Sequence, residues 1–592
     1  MKLTLQYVLL TFLLANSACS FKDNAKNSES PSPRKRILLA MNDDVKSADP
    51  ATANDVVSSE LIGHIFEGLL GFSYLGNMGT WEPVLAESVP QVSPTQKSFV
   101  FKLKKGVLFQ DDPAFPGGKG REVVAEDFVY SFKRMGDPRL SSPNVWMLEG
   151  VIEGFQNWKL EMEASSPDKR DELFQRPIKG LTAVDKHTLK IDLVEPNPQF
   201  FSILSMNHTT VVAREVVEKY GPEMAIHPVG TGAFRLKEWI KGSKIVIEKN
   251  PSYHGSNYPS EGSALAKSRN LLKDAGKALP IVDEISWDII KEEQPRWLKF
   301  MNGELDETTL PKDHFSEAIG ADGELKPELS ARGFKLHKAM SLTSWWIEFN
   351  MKDPILGKNP KLRKALGYAF DRARGLNLLY NNRGMLADAP FPPVLDNLVQ
   401  IKPFPYSLNL DKARALLSEA GYPGGKGLQP LVFDLRAPGT TPRQLGELIA
   451  DNFSKIGVKV QIMANSFPEA LEKLRTSRFQ MILGGWAGDY PDPENFLQNF
   501  YSENAAPGPN SSNFMNKEYD SLYREIRPLT PSPLRSQKIS RMVEILTEEA
   551  PVVYFFHSMD YRLSNSRLLN FQPNLLLYGI GKYLDVAESQ KP

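Results

Sequence analysis

Short runs with a two-residue apolar period alternate along the chain with stretches whose apolar residues recur at three, four and seven. This predicts strands and helices in turn. Residues 98–103 (SFVFKL) and 244–248 (KIVIE) read as strands, and Met481-Ile482-Leu483 reads as a short buried strand. Asn359 followed by Pro360 predicts a helix start, with Leu362, Ala365, Leu366 and Ala369 on one buried stripe and an end near Gly375. Asn409 or Asp411 caps another helix, with Ala413, Leu416, Leu417 and Ala420 turned inward and Gly421 then Pro423 as its stop. Such alternation predicts α/β lobes rather than a helical bundle or a sandwich.

A chain of 592 residues exceeds one core and divides, at ~150 residues each, into about four units or fewer, larger lobes. Lys plus Arg and Asp plus Glu number 71 each, and the longest basic run is Arg34-Lys35-Arg36. No net field draws in nucleic acid, which is excluded as a partner.

Residues 1–19 place Lys2 before an apolar segment, Leu3 to Leu14, that ends in Ala15-Asn16-Ser17-Ala18-Cys19. This is the pattern of a secretory signal, too short to span a bilayer. Cys19 is the single cysteine, so neither an internal disulfide nor a cysteine metal site is available. Its place after a small residue resembles the lipobox of bacterial lipoproteins, with Asn16 where that motif usually has Leu; the resemblance implies an acylated Cys19, and the alternative is a cysteine discarded with the signal. Residues 20–33, rich in Ser, Pro and charge, read as a flexible tether. No later segment approaches 18 consecutive apolar residues, so the body is expected to be soluble, lipid-anchored and on the extracytoplasmic face of the cell envelope.

Eight histidines stand singly, without His-x-His or His-Glu-x-x-His spacing, so no metal site or cofactor is expected. Gly-x-Ser-x-Gly is absent. Pro-Gly-Gly-Lys-Gly occurs at 116–120 and 423–427, but Lys119 and Lys426 are followed by Gly rather than Ser or Thr, so both read as turns and not phosphate loops. Residues 255–279, rich in Ser, Gly, Asn and Lys, read as an exposed insertion between two strands.

Chemistry concentrates after the strand at 481–483. Glycines at 484, 485 and 488 let a ligand backbone approach, Trp486 offers a flat apolar wall, and Asp489 suits a cation held against that wall. Asp489 has a turn-capping alternative. Asp492 reads as the N-cap of a helix that opens at Pro493, with Glu494 in its first turn. Asp489 and Glu494 would also make a carboxylate pair of the kind a glycoside hydrolase uses, but sequence spacing carries no information on their separation.

Nine segments in order along the chain resemble the family 5 extracellular solute-binding proteins, receptors of ABC importers. They are residues 81–88 (WEPVLAES), 99–109 (FVFKLKKGVLF), 125–134 (AEDFVYSFKR), 230–239 (GTGAFRLKEW), 248–253 (EKNPSY), 302–306 (NGELD), Phe349-Asn350, 362–372 (LRKALGYAFDR) and the block from Trp486 to Phe496. The resemblance implies a class II periplasmic-binding-protein-like α/β fold, two lobes about a cleft with a two-segment hinge, enlarged by an extra lobe. The implied path is 34–63 with 207–346 and 557–592 for lobe I, 64–206 for the extra lobe II and 347–556 for lobe III. The implied protein is a monomeric receptor and not an enzyme, which closes over a short peptide and passes it to an ABC permease in the membrane. Asp489 matches the position that grips the ligand's ammonium, and Gly485, Trp486 and Ala487 match positions where the peptide pairs as an added strand. An oligosaccharide, a metal chelate or haem remains an alternative solute.

Two departures stand out. The loop 110–122 is lengthened, and Leu483 occupies the place where some members carry an arginine that meets a peptide carboxylate. Trp345 and Trp346, and Tyr554, Phe556 and His557, either line the cleft or belong to the core.

Overall fold

The structure is a computed structural model that describes residues 34–90, 93, 95–395, 399–574 and 576–587. Residues 1–33, with the expected signal, Cys19 and the tether, lie outside them. From Lys35 onward the chain forms one unit, with α/β elements packed around several apolar cores.

The first core is built mostly from residues 69–229, where Phe99 and Phe101 of a three-stranded antiparallel sheet (Ser98–Lys102, Thr188–Asp192, Leu181–Asp185) share one cluster with Phe128 and Phe132, and Phe99 packs on Phe200 and Phe201. The second lies on a four-stranded sheet. Arg36–Met41 runs parallel to Glu284–Ile289, and Lys244–Lys249 and Phe234–Ile240 continue it antiparallel. Ile37, Phe234, Ile245, Ile247 and Trp287 are the centre of that core.

The largest core surrounds a seven-stranded mixed sheet in the order Glu307–Thr309, Val552–Ser564, Lys335–Phe349, Met481–Ala487, Leu431–Asp434, Val460–Met463, with Gly384–Leu386 also on Val552–Ser564. Its two longest strands, Lys335–Phe349 and Val552–Ser564, run antiparallel from a small cluster around Trp297, Phe300 and Leu563 into the large core. Their register shifts between Met340 and Ser344 and again between Trp345 and Trp346. Extra residues in one strand of a pair bend it and sharpen its twist.

The predicted caps are present. Asn359 accepts a hydrogen bond from the Leu362 amide at 3.1 Å, and Asn409, not Asp411, accepts one from the Lys412 amide at 2.9 Å. The helix expected to run to Gly375 stops at Ala369, because Asp371 caps a new helix, Arg372–Tyr380, by accepting from the Arg374 amide. Gly375 lies inside that second helix, where a Cβ would come within 2.9 Å of the Phe555 ring. Both Pro-Gly-Gly-Lys-Gly segments are turns, with Gly117 and Gly424 at φ of 64° and 59°.

The insertion at 255–279 is not the exposed appendage its composition suggests. Tyr258, Ala266, Leu271 and Leu279 are buried against Tyr74, Leu75 and Tyr583. Four apolar residues spaced through a polar stretch are enough to dock it.

Candidate functional site

Met481–Ala487 is paired on one side along its whole length, from Phe349 opposite Met481 to Thr343 opposite Ala487. On its other side only Met481 and Ile482 have partners, Phe433 and Asp434. From Leu483 to Ala487 that second edge carries no strand among the described residues. An open edge continuing a paired one presents backbone donors and acceptors in the spacing that another extended chain needs.

The glycines here serve the sheet itself. A Cβ on Gly484 would lie 2.2 Å from the Glu348 carboxylate and 2.5 Å from Trp346 Nε1, and one on Gly485 would lie 2.7 Å from the Ser344 carbonyl and the Trp345 ring. Their missing side chains make room for two tryptophans of the neighbouring strand, which leaves the backbone edge free of bulk.

Past Ala487 the chain turns, and one buried residue organises the turn. Asn495, 0% exposed, accepts hydrogen bonds from Trp486 Nε1 and the Asp489 amide, both at 2.9 Å, and donates to Asp489 Oδ2 at 3.0 Å. Trp486 and Asp489 are thereby locked into one geometry. Asp489 is half-buried and forms no ion pair among the described residues. Burial pushes its carboxyl above the usual range, against the hydrogen bonds from Asn495 and its own backbone. Near it, burial and then the charges of Glu60, Asp489 and Asp55 push the Tyr578 hydroxyl up to about 12. In this acidic corner Asp489 is partly desolvated and itself forms no ion pair among the described residues.

Asp492 and Glu494 have structural tasks. The short helix Glu494–Leu497 starts one residue later than predicted, with Pro493 at its cap position. Asp492 Oδ1 accepts from the Glu494 amide and from Arg535 Nη2, both at 2.7 Å, and Oδ2 accepts from Gln199 Nε2 at 2.6 Å. Glu494 is buried and takes hydroxyls from Tyr490, at 2.6 Å, and Tyr523. Its oxygens are thus engaged, so the arrangement lacks the free carboxylate pair that glycoside hydrolysis needs.

Of the aromatic candidates, Trp345 is half-buried, donates to Ser558 Oγ at 3.0 Å and lies beneath the Arg436 guanidinium, 5.8 Å from its ring centre. Trp346 (2% exposed), Tyr554 (1%), Phe556 (2%) and His557 (2%) are in the core. Phe556 packs on Tyr380 and Tyr554 on Phe404. His557 shares a 2.8 Å hydrogen bond with Ser344 Oγ, and burial lowers its pKa to about 3.

That shift makes a pH prediction. The unfolded chain protonates His557 near pH 6.5 while the folded chain refuses the proton until about 3, so stability falls as pH drops through that window, by about 1.4 kcal/mol per unit. His557→Gln is expected to lose about 2 kcal/mol less than the parent chain between pH 6.5 and 5 in urea unfolding. Identical losses would show that His557 does not contribute.

Arg436 is the residue that sequence reasoning missed. It follows the strand Leu431–Asp434, is half-buried, and places Nη1 3.4 Å from the Leu483 carbonyl, at the start of the open edge. It forms no ion pair among the described residues, and burial lowers its pKa.

The family described as bacterial extracellular solute-binding proteins, family 5, matches residues 80–508. The periplasmic oligopeptide-binding protein OppA of Escherichia coli is 26% identical over 546 residues, spanning 89% of this chain and 88% of its own. Heme-binding protein A of Haemophilus influenzae is 26% identical over 501 residues, spanning 83% and 81%. The solved structure of DppA from Helicobacter pylori in complex with peptide STSA superimposes with a TM-score of 0.71 at 22% identity, covering 94% of this chain and 99% of that one. The shared architecture is the mixed α/β fold of the periplasmic peptide-binding proteins.

Proposed function

This chain belongs to the bacterial extracellular solute-binding proteins of family 5, which bind rather than transform their solutes, and from that premise we propose that it captures a short peptide with free termini and delivers it to an ABC permease. The observation that carries the reading is Asp489, a half-buried carboxylate without a cation, fixed by Asn495 at the end of an open strand edge. An ammonium is the counter-charge such a group lacks. Arg436 at the other end of the same edge supplies the matching charge for a carboxylate. Leu483 to Ala487 span about 13 Å at ~3.3 Å per residue, the length of roughly two to four ligand residues once the two side chains reach inward. A main-chain ladder between the two charges tolerates many side chains. The acidic corner around Asp489 disfavours haem or a metal chelate, whose own carboxylates it would repel.

Capture is by lobe closure about the strands Lys335–Phe349 and Val552–Ser564, with ligand contacts favouring the closed state. Titration with a free-ended tripeptide is expected to give 1:1 binding and a smaller radius of gyration by X-ray scattering. Saturation with no change in radius overturns closure, and absence of binding overturns the peptide reading.

We further propose that Cys19 carries a lipid that holds the receptor at a membrane. Among the described residues no helix is long and apolar enough to cross one. Cys19→Ser is expected to move the protein from the membrane fraction to the soluble fraction; unchanged membrane association would refute the anchor.

A further inference from the structure

The first core and the largest core meet at the turn that carries Asp489. Gln199 Nε2 donates to Asp492 Oδ2 at 2.6 Å, Arg527 Nη2 lies 3.1 Å from Glu195 Oε1, and Gly79 faces Pro491 so closely that a Cβ would sit 3.0 Å from the proline ring. Both sides are firmly mounted. Gln199 stands at the N-cap position of the helix Phe200–Leu204, whose Phe200 is buried and packs on Phe99. Arg527 ends the helix Lys517–Ile526, whose Tyr519 donates to the Leu497 carbonyl at 2.7 Å. The seam between them is polar and wet. It encloses a cavity of about 60 Å³, with Glu195, Asn197 and Gln199 on one wall and Tyr490, Glu494 and Arg527 on the other, room for a few water molecules. The Arg527 and Glu195 side chains are 49% and 55% exposed.

The junction of the first core with the second differs in kind. Arg134 donates to both carboxylate oxygens of Asp49, at 3.1 and 2.7 Å, and both side chains are buried. Asn144 donates to the Ala53 carbonyl at 2.7 Å, and Asn207 to the Ser59 carbonyl at 2.8 Å. Separating that junction would strand two buried charges, whereas an exposed ion pair and a hydrated seam part at small cost.

We propose that Glu195 and Gln199 form a latch: the first and second cores move as one body, and on closure over a ligand these two residues fasten that body to Arg527 and Asp492. The inference rests on the closure reading above and goes further, because it gives the first core a part in capture without contact with the ligand. Pro491 and Asp492, which the latch holds, follow Asp489 within three residues. An occupied Asp489 and a fastened latch therefore steady the same turn. The latch slows reopening, and it does so by one factor for every ligand because it touches none.

The test follows release of Ala-Ala-Ala and of its C-terminal amide by stopped-flow tryptophan fluorescence from the parent chain, from Glu195→Lys, and from Glu195→Lys combined with Arg527→Gln. Setting a lysine against Arg527 is expected to speed release of both peptides by the same factor, roughly 5-fold, with association almost unchanged. Arg527→Gln removes the repulsion and is expected to return much of the slow release. Urea midpoints of both variants are expected to match the parent chain, because the two positions are exposed; a midpoint that falls as release speeds up would make the pair a support of the fold and overturn the latch. Unchanged release, or fast release that the second substitution does not slow, overturns the latch while peptide binding leaves the peptide reading standing. Unequal acceleration of the two peptides would place Glu195 at the ligand and overturns it as well. Failure of both peptides to bind overturns both readings.

Discussion

Asp489→Asn is expected to weaken a peptide with a free amino terminus by about 10- to 150-fold and to leave its N-acetylated counterpart, already a poor ligand, almost unchanged. A hydrogen bond to a charged group contributes roughly 1.5 to 3 kcal/mol, which converts to that range. The substitution suits the site. Asn495 donates to Asp489 Oδ2, a contact an amide oxygen also accepts, and the Asp489 amide keeps its own bond to Asn495. The turn should therefore hold its shape while the charge is lost. Comparing the two ligands isolates the charge, because a disturbed turn would weaken both alike. Equal losses, or no loss for the free amine, would refute the ammonium site and turn attention to a non-peptide solute.

How much of this was legible in the chain depends on the range of the interactions. Caps such as Asn359 and Asn409 act within three residues, so local reading located them. The break after Ala369 escaped it because the apolar stripe continues through Leu376 and Leu379, and only the Asp371 cap, a bond made in the folded chain, divides it. Trp486 and Asp489 could be picked out by their chemistry, but not the reason they hold still: Asn495 looks like an ordinary helix residue until the turn brings its amide back onto both. The glycines suit a ligand's approach by their chemistry, yet in the fold they seat Trp345 and Trp346, a cross-strand relation that sequence does not display. Arg436 is far from Asp489 in the chain and reaches the edge only because Leu431–Asp434 pairs in parallel with the start of Met481–Ala487. Where Leu483 stands in place of a family arginine, Arg436, two residues past the adjacent strand, lies 3.4 Å from the Leu483 carbonyl.

The largest effect on stability is expected at Arg535, which is buried against Asp492 beside the Asp489 turn. Its side chain is 2% exposed and its partner Asp492 5% exposed, with 2.7 Å between Nη2 and Oδ1. Arg535 also donates to the Ile526 carbonyl at 3.2 Å, and Asp492 also accepts from Gln199. Removing one member of such a pair leaves the other as an uncompensated buried charge, which costs about 3–5 kcal/mol. Arg535→Met keeps much of the volume and is expected to reduce unfolding free energy by that amount in guanidinium titrations. Replacing both members, Arg535→Met with Asp492→Leu, removes the stranded charge and should restore much of the loss, since an apolar pair of similar volume is often as stable as a buried ion pair. Asp492 is three residues from Asp489, however, and its bonds to the Glu494 amide and Gln199 tie that turn to the rest of the molecule. The double variant should therefore recover stability without recovering affinity for a free-amine peptide. Recovery of both would mean that the turn is positioned by Asn495 alone, and an unchanged single variant would mean that the ion pair is not its support.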